Sequence, residues 1–240
     1  MNEKKNTTVL LPGLGAQFLF LQNQTDIPDK KILIIGSGCL PVAEKMIAAG
    51  ASKVEIIIDD EELMFIDRLQ QPESDLIRIR YMDYTNTDFR DTGFDIIYAQ
   101  ASVSTKKHSK ILKEIQNLLN PGGIICMGEV VKLEEETPTS INDVWERSNL
   151  QPLSIENLRE IYEKSGYEIL EQKDLSYTLV LVYEQNKQEM EKKLNLMSDE
   201  ELRAYKKDIS RYKHEANMYL RLGGDKYTGY VVFILRKQAQ

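Results

Sequence analysis

The sequence predicts an α/β protein: a doubly wound, mostly parallel sheet with helices on both faces. Apolar runs without polar alternation, such as Ile32–Ile35, Val54–Ile58 and Ile124–Met127, suit strands buried on both sides. Amphipathic segments separate such runs, as in Lys106–Leu119, where Ile111, Leu112, Ile115, Leu118 and Leu119 share one helical face. Directly after the first run stands a glycine turn, Gly36-Ser37-Gly38, and the second run ends in Asp59-Asp60.

The elements follow in order. Through Thr8 the chain is polar and is expected to fray. Leu11-Pro12-Gly13-Leu14-Gly15 reads as a turn, followed by Phe18, Leu19 and Leu21 of a short helix. After the first core strand, Ile32–Ile35, Pro41 fits the first turn of a helix, where a missing N–H costs nothing. Val42, Met46 and Ala49 give that helix an inward stripe, and Gly50 stops it. Val54–Ile58 is the second strand. Glu61–Leu69 is a helix with acids in its first turn, where the dipole favours them. Ile77–Tyr81 and Phe94–Ala99 are the third and fourth strands, the latter bounded by Gly93. Asn120-Pro121-Gly122-Gly123 breaks the next helix and feeds the strand Ile124–Met127.

Beyond it, Glu129–Asn149 is a longer connection with an acidic run, Glu134–Glu136, and the sole tryptophan, Trp145. Ser154 caps a helix whose Leu158, Ile161 and Tyr162 face inward, and Gly166 ends it. Tyr167–Leu170 is a strand. Tyr177–Tyr183 fits strand or helix, while Glu184–Leu194 is polar and helix-prone. Ser198-Asp199-Glu200-Glu201 is a capping box. It opens a helix carrying Leu202, Tyr205, Ile209, Tyr212, Ala216 and Tyr219, stopped by Gly223-Gly224. Tyr230–Leu235 is the last strand.

At 240 residues the chain is expected to form one domain, with a core over about 9–175 and 225–237 and a helical lid insertion over about 176–222. The net charge of −7 argues against a nucleic-acid partner, which needs a positive footprint. Cys39 and Cys126 are the only cysteines, one in the glycine turn and one in a strand, so no disulfide framework is expected. No apolar run is long enough to cross a bilayer and no signal pattern is visible, which sets a cytoplasmic expectation. Without a Cys/His cluster, no metal site is expected.

A glycine turn with a downstream acid fits two nucleoside cofactors. Dinucleotide binders rest a pyrophosphate on the helix N-terminus and use a third glycine. Pro41 occupies that region and removes a backbone donor from the terminus that would hold phosphate. S-adenosyl-L-methionine carries no phosphate and loses nothing by this. In order, the chain then presents Asp59-Asp60, Asp83-Tyr84, a strand ending Ala99-Gln100-Ala101, and Leu118-Leu119-Asn120-Pro121-Gly122-Gly123.

From Leu11 to Lys237 this succession resembles the class I S-adenosylmethionine-dependent methyltransferases of small-molecule type. The Leu11–Gly15 entry segment and the Pro152–Tyr167 stretch are similar to theirs as well. The resemblance implies a seven-stranded sheet of order 3-2-1-4-5-7-6 with the last strand antiparallel. It implies that Gly36, Ser37 and Gly38 approach the methionine part of the cofactor, and that Asp59, or less readily Asp60, binds the ribose hydroxyls. Asp83 would bond the adenine amino group with Tyr84 beside the ring, and Ala99 and Gln100 would lie beneath the sulfonium end.

Two departures stand out. Ile35 occupies the place of an acid before the first glycine, and Leu40 that of a third glycine. The Gly13–Gln17 segment or Gln100 is the expected substitute for the missing contact. The implied reaction is methyl transfer to a small-molecule acceptor by in-line displacement, with Glu129 and His108 as the candidate bases should the acceptor need to lose a proton. The Trp145 loop and Ser176–Leu222 are expected to cover the acceptor. An NAD-dependent oxidoreductase and a non-catalytic cofactor-binding relative are the alternatives.

Overall fold

In the computed structural model, which describes residues 9–89 and 93–238, seven strands form one sheet. The N-terminal stretch expected to fray lies outside the described residues. The strands are β1 (Lys31–Ile35), β2 (Lys53–Ile58), β3 (Ile77–Tyr81), β4 (Phe94–Gln100), β5 (Leu119–Lys132), β6 (Tyr167–Asp174) and β7 (Thr228–Lys237). Their order is β3-β2-β1-β4-β5-β7-β6, with β7 antiparallel to both neighbours.

The apolar runs are continuous because each strand feeds two cores. Ile32 and Ile34 enter one layer, with α1 (Leu14–Gln22) and α2 (Leu40–Ala48). Leu33 and Ile35 enter the other, with α4 (His108–Leu118) and α6 (Ile155–Lys164). Side chains alternate across a strand, so burial on both faces requires apolar residues at every position. α3 (Glu61–Gln70) follows β2, and α5 (Thr139–Arg147), which carries Trp145, follows β5.

Two differences from the sequence reading have physical causes, and one open alternative is resolved. β5 begins at Leu119, before the Asn-Pro-Gly-Gly break. Phe94 pairs with Leu119 and Ile96 with Ile124, so the break is a bulge inside the strand, turned by Gly122 at φ 72°. β5 also runs on to Lys132, because the antiparallel ladder with β7 continues to the Lys132–Thr228 pair. The stretch after Tyr177, which fitted strand or helix, is helical: α7 runs Thr178–Leu194 with Tyr177 at its N-cap. Leu179 and Val182 face inward at helical spacing while Val180 and Leu181 stay exposed, so burial overrides local β-propensity.

The capping box forms as expected, with Ser198 and Glu201 satisfying each other's backbone N–H. The helix it opens is two helices, α8 (Asp199–Ala204) and α9 (Lys206–Arg221), divided at Tyr205. α7, α8 and α9 all lie between β6 and β7. The Tyr183 ring stacks on Tyr219 at 4.6 Å, joining α7 to α9. Among the described residues no helix is long and apolar enough to cross a membrane, and no group of acids, cysteines and histidines could hold a metal ion.

Candidate functional site

β1 and β2 end side by side: Ile35 pairs with Ile57, and the Gly36 N–H donates to the Ile57 carbonyl at 3.0 Å. The turn then leaves the sheet beside the end of β2. Gly36 has φ 124°, and a Cβ there would stand 2.7 Å from Cβ of Ser102, so this position admits only glycine. Ser102 is held in place by donating to the Ile35 carbonyl at 2.6 Å. The Gly38 N–H donates to Asp67 Oδ2 at 2.8 Å, which ties the turn to α3. Burial, opposed by that bond, raises the Asp67 pKa. Cys39 beside it is buried, and burial followed by the Asp67 charge pushes its thiol up to about 12, so it stays a neutral side chain. A cleft of about 180 Å³ opens here, walled by Leu11, Leu14, Phe18, Gly38, Pro41 and Lys45.

The two acids after β2 divide their tasks. Asp60 caps α3, accepting from the Leu63 N–H at 2.9 Å. Asp59 stands at the strand end as an exposed carboxylate without a cap to fill. Loss of surrounding water raises its pKa, opposed by the Lys107 ammonium and the Tyr84 hydroxyl. Tyr84 is buried with its phenol toward Asp59. Asp83 is exposed and accepts the N–H and hydroxyl of Thr85 at 2.9 and 2.8 Å, bonds that lower its pKa. Lys107 Nζ lies 3.7 Å from Asp83. The structure therefore gathers Asp59, Asp83, Tyr84 and Lys107 at the ends of β2 and β3, next to the glycine turn.

At the end of β4, Ala99 pairs with Ile35 and is fully buried. Its carbonyl accepts from Gln17 Nε2 at 2.8 Å. Gln100 lines the cleft beside the glycine turn and is also tied to the chain's first segment. Its amide nitrogen donates to the carbonyls of Pro12 and Leu14, at 2.7 and 3.1 Å, and its oxygen accepts from Tyr98. Both donors are spent, so Gln100 fastens the entry segment to the sheet. The same segment is tied to α7, since Leu10 and Asn186 exchange two bonds of 2.8 Å and Gly13 N–H donates to Thr178.

Glu129 and His108, which sequence reading names separately, meet in the structure. Glu129 is buried on β5 and accepts from His108 Nε2 and from the Tyr162 hydroxyl, both at 2.8 Å. Its other oxygen accepts from Ser104, whose hydroxyl accepts the Val130 N–H in turn. With the carboxylate accepting at Nε2, the neutral tautomer of His108 leaves Nδ1 bare, and that atom is buried without a partner. The network pins the loop between β4 and α4, the loop that carries Ser102 and Lys107. On the opposite face of β5, Gly128 leaves room for Tyr230 to donate to Gln17 at 2.6 Å. A Cβ on Gly128 would lie 1.9 Å from that hydroxyl.

Sequence reasoning missed Asp67, Ser102 and Lys107, and named Gln17 only as part of the Gly13–Gln17 segment. Asp67 was legible in principle, because it lies three residues from the inward Met64 and so shares its helix face. Ser102, Lys107 and Gln17 act across the fold, at separations that no local pattern announces.

A seven-stranded sheet in this order, with an antiparallel seventh strand and a glycine turn after the first, is the class I S-adenosylmethionine-dependent methyltransferase fold. Residues 33–127 match the methyltransferase domain family. No curated protein matches it. Among solved structures it is similar to a Galdieria sulphuraria protein provisionally assigned as a sarcosine dimethylglycine methyltransferase, at 17% identity and TM-score 0.76, covering 93% of this chain and 84% of that one. It is similar to the [4+2]-cyclase SpnF at 22% identity and TM-score 0.74, covering 94% and 82%. A third is Haemonchus contortus phosphoethanolamine N-methyltransferase 2 in complex with S-adenosyl-L-methionine, at 16% identity and TM-score 0.76. That comparison covers 97% of this chain and 55% of the longer enzyme.

Proposed function

We propose that this chain transfers the methyl group of S-adenosyl-L-methionine to a small-molecule acceptor. The observation that carries the reading is the pairing of a bare glycine turn with the exposed carboxylate of Asp59, which caps no helix, on the neighbouring strand end. These residues fit the cofactor. Asp59 has acceptor capacity for two ribose hydroxyls, and Gly36, Ser37 and Gly38 offer backbone to its methionine part. Asp83 with Tyr84 would flank the adenine, and Ala99 would floor the sulfonium end. Asp60 takes no part, being the α3 cap.

When bound, the cofactor supplies an activated methyl on a positively charged sulfur. The protein's work is then to align an acceptor and exclude water. α5 and the α7–α9 insertion would cover it, since ligands in such folds lie beyond the strands' carboxyl ends. Two free, buried thiols suit a reducing compartment, the cytoplasm. Release of S-adenosylhomocysteine across a panel of small amines, alcohols, thiols and acids tests the reading; at least one class should support turnover that Asp59→Ala diminishes.

A second reading is a cofactor-binding relative that transfers no methyl. It is favoured by Ile35 standing where an acid is usual and by the spent amides of Gly38 and Gln100. Cofactor binding without turnover on any acceptor would select it.

A further inference from the structure

We propose that the opposite, amino-terminal edge of the sheet holds a second site, for a small phosphate-bearing anion. A polar cavity of about 330 Å³ lies there, walled by Lys31, Lys53, Arg78 and Arg80 with Glu55 and Asp88, and closed by Phe89 and Phe94. It arises from the fold. No helix covers the described part of the connection from β3 to β4, so the outer strands leave one face open at this end.

The strand registers concentrate positive charge on that face. Lys31 is the register partner of Lys53, Glu55 of Arg78, and Ile57 of Arg80. Like charges directly across neighbouring strands repel and are kept where something compensates them. Glu55 compensates two of the four cations. Its carboxylate, 2% exposed, lies 2.8 Å from Lys53 Nζ and 3.2 Å from Arg80 Nε. Among the described residues, Lys31 and Arg78 have no carboxylate partner. Asp95, the nearest acid in sequence to Phe94, spends its oxygens on the Lys31 backbone N–H at 2.9 Å and on Asn120 at 3.0 Å.

The cations are also held in place. Lys31 Nζ sits 4.7 Å over the Phe94 ring, and the Arg80 guanidinium 5.1 Å over Phe89, while the two rings pack edge to face at 5.1 Å. Four cations, three of them positioned, against two carboxylates make a cavity of net positive charge. The arginine forks suit tetrahedral oxyanions, which accept bidentate bonds. The site is remote from the glycine turn, which lies at the other end of β1, so it is independent of the cofactor reading.

The test is calorimetric titration of inorganic pyrophosphate and of ADP, in chloride buffer, into the wild type and the double variant Lys31→Gln, Arg78→Gln. Among the described residues neither side chain carries an ion pair, so the variant is expected to keep its fold, checked by its urea unfolding, and its S-adenosyl-L-methionine affinity. Pyrophosphate should bind the wild type and bind the variant about tenfold more weakly, the loss expected for charge-assisted contacts. Tighter binding of ADP would identify a nucleotide as the source of the phosphate; equal binding would identify the free anion. Absence of heat from both ligands, or equal affinity in wild type and variant, overturns the proposal.

Discussion

The carboxyl edge of the sheet holds acids of two kinds. At the ends of β2 and β3, Asp59 and Asp83 are exposed, and Asp59 caps no helix. On β5, Glu129 is buried and accepts from Ser104, His108 and Tyr162 at once. A buried carboxylate that accepts three hydrogen bonds can hold a loop but has little left for a ligand. A carboxylate at a strand end with acceptors to spare costs nothing to the fold and is available to a sugar. The buried acid here builds the frame, and under the proposed function exposed Asp59 is left for the ligand.

Replacing the buried member should have the largest effect. Glu129→Ala leaves three donors without an acceptor and should cost about 3–5 kcal/mol in urea unfolding, with Glu129→Gln costing about 2 kcal/mol. A loss below 1 kcal/mol for the alanine variant would mean that water replaces the carboxylate. On the other face of the strand, Gly128→Ala forces a methyl into the Tyr230–Gln17 bond and should destabilise by about 1–3 kcal/mol. A fully stable variant would show that the pair can separate freely.

The exposed pair sharpens the contrast at its smaller end. Asp60→Ala removes a helix cap and should cost about 1 kcal/mol of stability, with cofactor affinity intact. Equal damage to cofactor binding from Asp60→Ala and Asp59→Ala would erase the division of labour between them. Asp67 offers a pH test. Its folded pKa is raised by burial, so the folded state binds the proton more tightly and this carboxyl favours folding most at acid pH. That contribution is lost as pH rises through the raised value. The stability of wild type relative to Asp67→Asn should therefore decline from about pH 4 upward. A flat difference would contradict the shift.

The strands, the glycine turn and most helix boundaries were legible because each is written in local chemistry: unbroken apolar runs, a capping serine, a proline at a helix start. The strand order came from the family resemblance. So did the preference for Asp59 over Asp60, since adjacent acids at a strand end differ only in which one the next helix takes as its cap. The bonds of Gln100 were not legible, for a related reason. Its task depends on carbonyls of Pro12 and Leu14, more than eighty residues earlier in the chain. Glu129 and His108 were named separately as bases. Their union, with Tyr162 from another helix, is a product of the tertiary fold and carries no spacing signature.

Calorimetric titration of S-adenosyl-L-methionine into wild type, Asp59→Ala and Asp60→Ala tests the central claim most directly. Saturable binding to wild type and to Asp60→Ala, weakened by about 1–3 kcal/mol in Asp59→Ala, is the predicted result. Folded protein that takes up NAD and gives no heat with S-adenosyl-L-methionine would contradict it.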